Sequence, residues 1–152
     1  MIKLLDHHDH SIAKQIFHVF QVSYAVEAAL LDHPDFPPLK RSTPDIMNSP
    51  TIFYGFWKED VLAAAMEIKS TKGATHIQSL TVVPDYFRQG IGYKLLDFAI
   101  QAHPSALITV ETGLGNTPAI RFYENFGFVK QKIWMTEVGI EKIAFTIKNN
   151  KL

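Results

Sequence analysis

Leu80-Thr81-Val82-Val83-Pro84-Asp85-Tyr86-Phe87-Arg88-Gln89-Gly90-Ile91-Gly92 is the stretch from which the fold can be read. Leu80 to Val83 are apolar or β-branched and predict a buried strand. Pro84 has no backbone donor and ends the pairing. Gly90 and Gly92 then open a helix that continues through Lys94, Leu95, Leu96 and Ala99 to about His103-Pro104. A glycine turn between a strand and a helix exposes main-chain N–H groups at the positive end of the helix dipole, which suits a phosphate. Without Cβ atoms at Gly90 and Gly92, a diphosphate can approach the backbone closely.

Working outward, the pattern after the turn is as regular as the turn itself. Leu107 to Thr112 is the next strand, so strand, helix and strand make a right-handed parallel crossover. Thr117-Pro118 starts a second helix, with Ala119, Ile120, Tyr123 and Phe126 facing inward and Gly127 as its stop. Gln131 to Thr136 and Lys142 to Ile147 form a closing hairpin. Before the turn, Ile2 to Leu5 is a short strand. Helical spacing from Ile12 through Val26 to Leu30 fits one long helix, or two with a break near Ser23 and Tyr24. Asp35 to Ser42 reads as a loop with apolar anchors that can wall a pocket. Thr43 is expected to cap a short helix, with Pro44 as its first residue. Thr51 to Trp57 and Val61 to Ile68 form an antiparallel hairpin, and Thr75 to Val83 is the strand that enters the turn. The result is an α/β domain with a mixed sheet.

Composition narrows the function. The 152 residues, 47% of them apolar, predict one domain spanning 1–152. Fifteen basic residues balance fifteen acidic ones. There is therefore no global field to draw the chain to nucleic acid or to an anionic membrane, and any anion site is local. No cysteine is present, which excludes disulfides, a thiolate nucleophile and cysteine-ligated metal. His7, His8 and His10 around Asp9 lack metal-motif spacing and read as a polar loop before a helix, so no metal is expected. The N-terminus turns polar too soon for a signal peptide, and no run is long enough to cross a bilayer, so a cytoplasmic location is expected.

Three motifs together carry a resemblance: Leu-Thr-Val-Val-Pro, Arg-Gln-Gly-Ile-Gly, and Asn116-Thr-Pro-Ala-Ile-Arg-Phe-Tyr123-Glu-Asn-Phe-Gly-Phe128. Asn116 and Tyr123 are seven residues apart and share a helix side. This combination, within Thr75 to Phe128, resembles the GNAT superfamily of N-acetyltransferases. The resemblance implies a mixed, mostly antiparallel sheet whose central parallel pair is splayed for acyl-CoA, with helices on both faces. It implies that the backbone at Leu80 and Val82 pairs with the pantetheine arm, and that Phe87, Arg88, Gln89, Gly90, Ile91 and Gly92 form the pyrophosphate turn. Asn116 is implied to bind pantetheine, and Tyr123 to sit near the sulfur as general acid. One position departs from the family pattern: its opening glutamine or arginine is Phe87 here, leaving Arg88 or Lys94 to supply charge.

Such a reaction moves the acetyl group of acetyl-CoA to a primary amine by direct attack in a ternary complex. The acceptor is a small molecule, a peptide N-terminus or a lysine. An ammonium with a pKa of about 10.4 must first lose a proton, which costs about 4–5 kcal/mol at neutral pH. A base is therefore useful. Alternation along the strand predicts His76, Gln78, Leu80 and Val82 on one face unless a bulge intervenes. His76 matches the position of the base in several such enzymes; Glu67, Glu111 or a water are the alternatives. Phe36, Tyr54, Phe56 and Trp134 are candidates to line the acceptor pocket, and the closing hairpin is a candidate homodimer surface. The competing reading is a non-catalytic sensor that binds acyl-CoA without turnover.

Overall fold

The computed structural model of the chain describes residues 1–148. These form one seven-stranded sheet: β1 (Ile2–Leu5), β2 (Ile52–Lys58), β3 (Val61–Thr71), β4 (Ala74–Val82), β5 (Leu107–Gly113), β6 (Val129–Met135) and β7 (Glu141–Lys148). The spatial order is β1-β2-β3-β4-β5-β7-β6. Only β4 and β5 run parallel, as the crossover requires. The last hairpin folds back so that β7 lies between β5 and β6, leaving Val129, Ile133 and Met135 exposed on the edge strand.

Helices α1 (His10–Leu30) and α2 (Thr43–Met47) cover one face; α3 (Ile91–Ala102) and α4 (Thr117–Phe126) cover the other. The apolar stripe of α1, Ala13, Ile16, Val19 and Phe20, packs on Phe53, Leu62 and Ala65. On the opposite face Ile91, Leu95, Leu96 and Ala99 of α3 pack on Ala64, Met66, Ile68 and Ile77. Each buried leucine or isoleucine of these layers stabilises the fold by about 1.5–3 kcal/mol relative to exposure. The alanine run of β3 is what lets helices approach the sheet from both sides.

Of the two readings of the first helix, the single long one holds: it runs unbroken through Ser23 and Tyr24, and Ser23 Oγ donates to the Val82 carbonyl of the sheet. One local expectation is corrected. The short helix is capped by Ser42, not Thr43, in a reciprocal box with Asp45, which places Pro44 second in the helix. His7 and His8 are structural: His7 Nε2 lies 2.8 Å from the Ser49 carbonyl and His8 Nδ1 2.8 Å from that of Met47.

Two features of β4 position the site. First, its register against β3 shifts: Ser79 opposes Glu67, yet Ile77 opposes Ile68, so Gln78 is an extra residue. The alternation predicted from sequence is broken there. Ile77, Leu80 and Val82 belong to the α3 face, whereas Ser79 and Thr81 share the α1 face with Glu67 and Ala65. His76 falls on the α1 side, away from Leu80 and Val82, lining the same cavity as Glu67 and Ser79. Second, β4 and β5 pair from Ala74↔Leu107 to Ile77↔Val110 and then part. Beyond that point β4 stays with β3 as far as Val82, and β5 stays with β7 as far as Gly113. The bulge begins where the parallel pairing stops. A bulge sharpens local twist, which accounts for β4 turning away from β5 and opening a wedge.

Candidate active site

The wedge leads to a cavity of about 680 Å³ whose floor is the turn from Tyr86 to Gly92. Pro84–Tyr86 form a single 3-10 turn. Arg88 and Gly90 then take left-handed backbone angles, φ 64° and 75°. A non-glycine residue there is strained by about 1–2 kcal/mol, and Arg88 accepts that strain at the mouth of the cavity. Gly90 is the N-cap of α3 and has no side-chain cap bond. The first helical bond runs from Lys94 N–H to the Gly90 carbonyl, so the N–H groups of Ile91, Gly92 and Tyr93 have no helical acceptor. A Cβ built on Gly90 meets no atom within 4 Å, so the cradle is open. These are the properties an anionic diphosphate requires. Phe87, Arg88, Gly90, Ile91 and Gly92 all line the cavity, whereas Gln89 does not. Lys94 is turned elsewhere, its Nζ 5.8 Å above the Phe56 ring.

The wedge also exposes a strand edge. Val83 N–H donates to the Ala63 carbonyl on the β3 side. By strand alternation the main-chain groups of Val82 and Leu80 therefore turn to the opposite edge, into the gap. Ser23 Oγ on α1 donates to the Val82 carbonyl at 2.9 Å, which leaves the Val82 N–H and both polar groups of Leu80 facing the wedge.

Helix α4 delivers Asn116 and Tyr123 to the same place. Asn116 is its N-cap: Oδ1 accepts from Ala119 N–H at 3.3 Å, and Nδ2 donates to Thr112 Oγ1 at 3.4 Å. One Nδ2 hydrogen remains. The Tyr123 ring is wedged among Phe122, Phe128 and Phe145, with centroids 5.2, 5.5 and 6.0 Å away. Burial first, and the charge of Glu27 second, push its phenol well above the usual tyrosine range, so it stays protonated.

A second cavity, of about 470 Å³, opens on the α1 side of the sheet. It meets the first at Tyr24, Glu27, Leu80, Asn116, Ala119 and Tyr123. Here three carboxylates behave differently. Glu67 is only 1% exposed. It receives Arg41 in a two-pronged pair at 2.6 and 2.8 Å, Thr51 Oγ1 at 2.6 Å and Ser49 Oγ at 3.1 Å. Burial opposes ionisation, but these donors prevail and hold the carboxyl below its ordinary value. A carboxylate so fully engaged has little capacity left to take a proton from an amine. Glu111 pairs with Lys142 at 3.0 Å on the exposed rim. Among the described residues Glu27 accepts only from Thr112 Oγ1, at 3.1 Å, and from Gly113 N–H, at 3.4 Å.

His76 lies in this cavity with Nδ1 2.7 Å from Thr109 Oγ1, which leaves Nε2 as the available nitrogen. Burial lowers its pKa, as do Lys69 and Lys142, against an opposing pull from Glu111. The ring is neutral, and able to accept a proton, at pH 7.

Of the aromatic candidates for the acceptor wall, only Phe36 lines this cavity, together with Phe20 and Tyr24. Tyr54 bonds to His103 at 2.9 Å beside α3, Phe56 is core, and Trp134 sits on β6 beside Lys132. The predicted loop wall is present: Phe36, Pro38 and Arg41 all contribute. Tyr24, Glu27 and Arg41 escaped the sequence reading. A signal existed. The α1 stripe runs Ile16, Val19, Phe20, then Ser23, Tyr24, Glu27 at the same spacing, so its last turns become polar where they cross the wedge.

A family model described as the acetyltransferase (GNAT) family matches residues 14–128. Among solved structures, the chain is similar to the ribosomal-protein-S18-alanine N-acetyltransferase from Escherichia coli, with a TM-score of 0.74 and 21% identity over 100% of this chain and 97% of that one. It is also similar to the PaiA N-acetyltransferase from Thermoplasma acidophilum in complex with coenzyme A, with a TM-score of 0.77 and 16% identity over 98% and 99% of the two chains. At these identities the likeness is one of fold. UPF0157 protein YqkA of Bacillus subtilis (strain 168) is 34% identical over 141 residues, 92% of this chain and 41% of that protein. The chain thus spans about two fifths of the length of the curated relative it matches.

Proposed function

Because the chain belongs to the GNAT acetyltransferase family, we propose that it transfers the acetyl group of acetyl-CoA to a primary amine by direct attack in a ternary complex. The observation that carries this reading is the meeting of the two cavities. One has an open strand edge and a helix N-terminus; the other has ionisable side chains; Tyr123 stands where they join. Acetyl-CoA supplies the activated thioester. The free edge at Leu80 and Val82 would pair with its amide-bearing arm, and the N–H groups from Gly90 to Tyr93 would receive its diphosphate. Coenzyme A in the Thermoplasma acidophilum structure supports that choice of co-substrate.

The chain's own groups fall into roles. Asn116, already oriented by Ala119 and Thr112, would bond the arm with its remaining N–H. Tyr123, held protonated, would donate to the departing sulfur. Neutral His76 would take a proton from the acceptor's ammonium, directly or through water, so that the free amine attacks the thioester carbonyl. With no cysteine in the chain, a thiol-borne acyl intermediate has no carrier.

The test is a thiol-release screen against polyamines, amino acids, aminoglycosides and short peptides. Release that depends on an amine supports transfer. A clear thermal shift with acetyl-CoA and no release across the panel would instead favour the sensor.

A further inference from the structure

The acceptor cavity holds more negative than positive charge, and the excess sits in one place. Its lining includes Glu27, Glu67 and Glu111 against Arg41 and Lys142. Arg41 has both terminal nitrogens committed to Glu67. Lys142 is paired with Glu111 at the rim. His76 is neutral. Among the described residues no cation lies within ion-pair distance of Glu27. Its two donors, Thr112 and Gly113, both fall on Oε2 and orient the carboxylate without neutralising it. Glu27 lines both cavities, as Tyr24 and Tyr123 do, so it lies at their junction.

We propose that Glu27 selects the acceptor: its carboxylate receives a primary ammonium where the two cavities meet, and the site takes amines that carry no carboxylate beside the nitrogen. The inference rests on the acetyl-transfer reading above and names its substrate class. An ammonium at Glu27 replaces the missing cation and lies beside Tyr123, next to the place that reading gives the thioester. An α-amino acid would bring a further carboxylate into a cavity whose cations are both engaged. The rings of Phe20, Tyr24 and Phe36 offer the body of such an amine an apolar and aromatic wall.

The probes are phenethylamine, phenylalanine amide and phenylalanine, which share a ring and differ in the carboxylate. Two readouts are taken: thiol release with acetyl-CoA, and calorimetric binding to protein saturated with coenzyme A. Phenethylamine and the amide are expected to exceed phenylalanine by about tenfold or more in kcat/KM and in affinity. Glu27→Gln keeps an oxygen for Thr112 and Gly113. It is expected to raise KM for phenethylamine about tenfold, with a smaller change in kcat and an unchanged thermal shift with acetyl-CoA. Glu27→Asp, which keeps the charge, should recover part of the loss and guards against a folding artefact. Equal use of phenylalanine, absence of binding by all three probes, or Glu27→Gln within twofold of wild type would overturn the proposal. Glu27-dependent binding with no thiol release would instead overturn acetyl transfer and leave the ammonium site standing.

Discussion

The two cavities that meet at Tyr123 are built from different materials. The wedge side is made by the main chain: a strand edge freed where β4 leaves β5, and the open N–H groups of α3. The α1 side is made by side chains from distant segments: Glu27 of α1, Arg41 of the loop, Glu67 of β3 and His76 of β4. Main-chain recognition is indifferent to most side chains and depends on glycine, strand and helix staying in order. Side-chain recognition depends on a few atoms whose charges must balance. The first suits a co-substrate that does not vary; the second can be retuned by single substitutions. The difference predicts where mutations will hurt folding, where they will hurt turnover and where they will do little.

The largest effect is expected from Arg41→Met. It would leave the Glu67 carboxylate, 1% exposed, without its cation. Removing one partner of a buried pair costs about 3–5 kcal/mol, a shift in Tm of about 6–20 °C for a chain of this length. Glu67→Gln should cost less, because the Arg41 side chain is 27% exposed and can rehydrate. The pH dependence gives a second check. Glu67 is held below its ordinary value in the folded protein, so its contribution is present above about pH 4.3 and is lost as pH falls through the folded value. In Arg41→Met burial dominates and the carboxyl titrates higher than in the unfolded chain. The deficit relative to wild type should therefore shrink on acidification toward pH 4. A Tm difference that stays constant from pH 7 to pH 4 would mean the ion pair is not what holds this loop to the sheet.

Next in size is Tyr123→Phe. The ring's packing survives, so stability and acetyl-CoA affinity should change little, while kcat falls by about 10²-fold, the usual contribution of a positioned acid. An unchanged kcat would remove Tyr123 from the chemistry and leave it a core aromatic. His76→Gln should lower kcat/KM by about 10²-fold at neutral pH and by less in acid. The sign follows from burial. The His76 pKa lies below its ordinary value of about 6.5, so the wild-type rate declines only under more acidic conditions, as the ring gains a proton and can no longer accept one. The variant has no such group, and its profile should be flatter there. Persistence of the acidic limb in the variant would assign the limb to another group.

The same division explains what could be read before the structure. The turn, its helix and the Asn116–Tyr123 helix side were legible because each is local: a few residues of fixed type force a few dihedral angles. The wedge followed from the family resemblance. The placement of His76 did not, because one inserted residue at Gln78 turns it to the other face, and no residue type announces that bulge. Nor did Arg41 and Glu67, 26 positions apart, reveal that they would meet in a pair. Sequence spacing carries no trace of a contact that exists only because a loop returns across the sheet. The polar turns of α1 lay between these cases, regular in spacing yet readable only as a possible break.

The smallest expected effect tests the main-chain side itself. Phe87 occupies the position where the family pattern has glutamine or arginine, is 46% exposed and lines the wedge cavity. If the diphosphate is held by N–H groups from Gly90 to Tyr93, the side chain at position 87 is dispensable. Phe87→Ala should then change acetyl-CoA affinity by less than about twofold. Phe87→Arg adds a cation beside the turn, at an exposed site where such a contact contributes about 0.5–1 kcal/mol. Affinity should rise about two- to fivefold at low salt, and the gain should fade as salt is added. Arg88 already stands at the mouth in its left-handed conformation, which limits what a second cation can add. A loss of tenfold or more in Phe87→Ala would show that the ring itself grips the co-substrate. The wedge would then share the side-chain dependence of the cavity across the sheet, and the contrast between the two halves of the site would narrow to the strand edge at Leu80 and Val82.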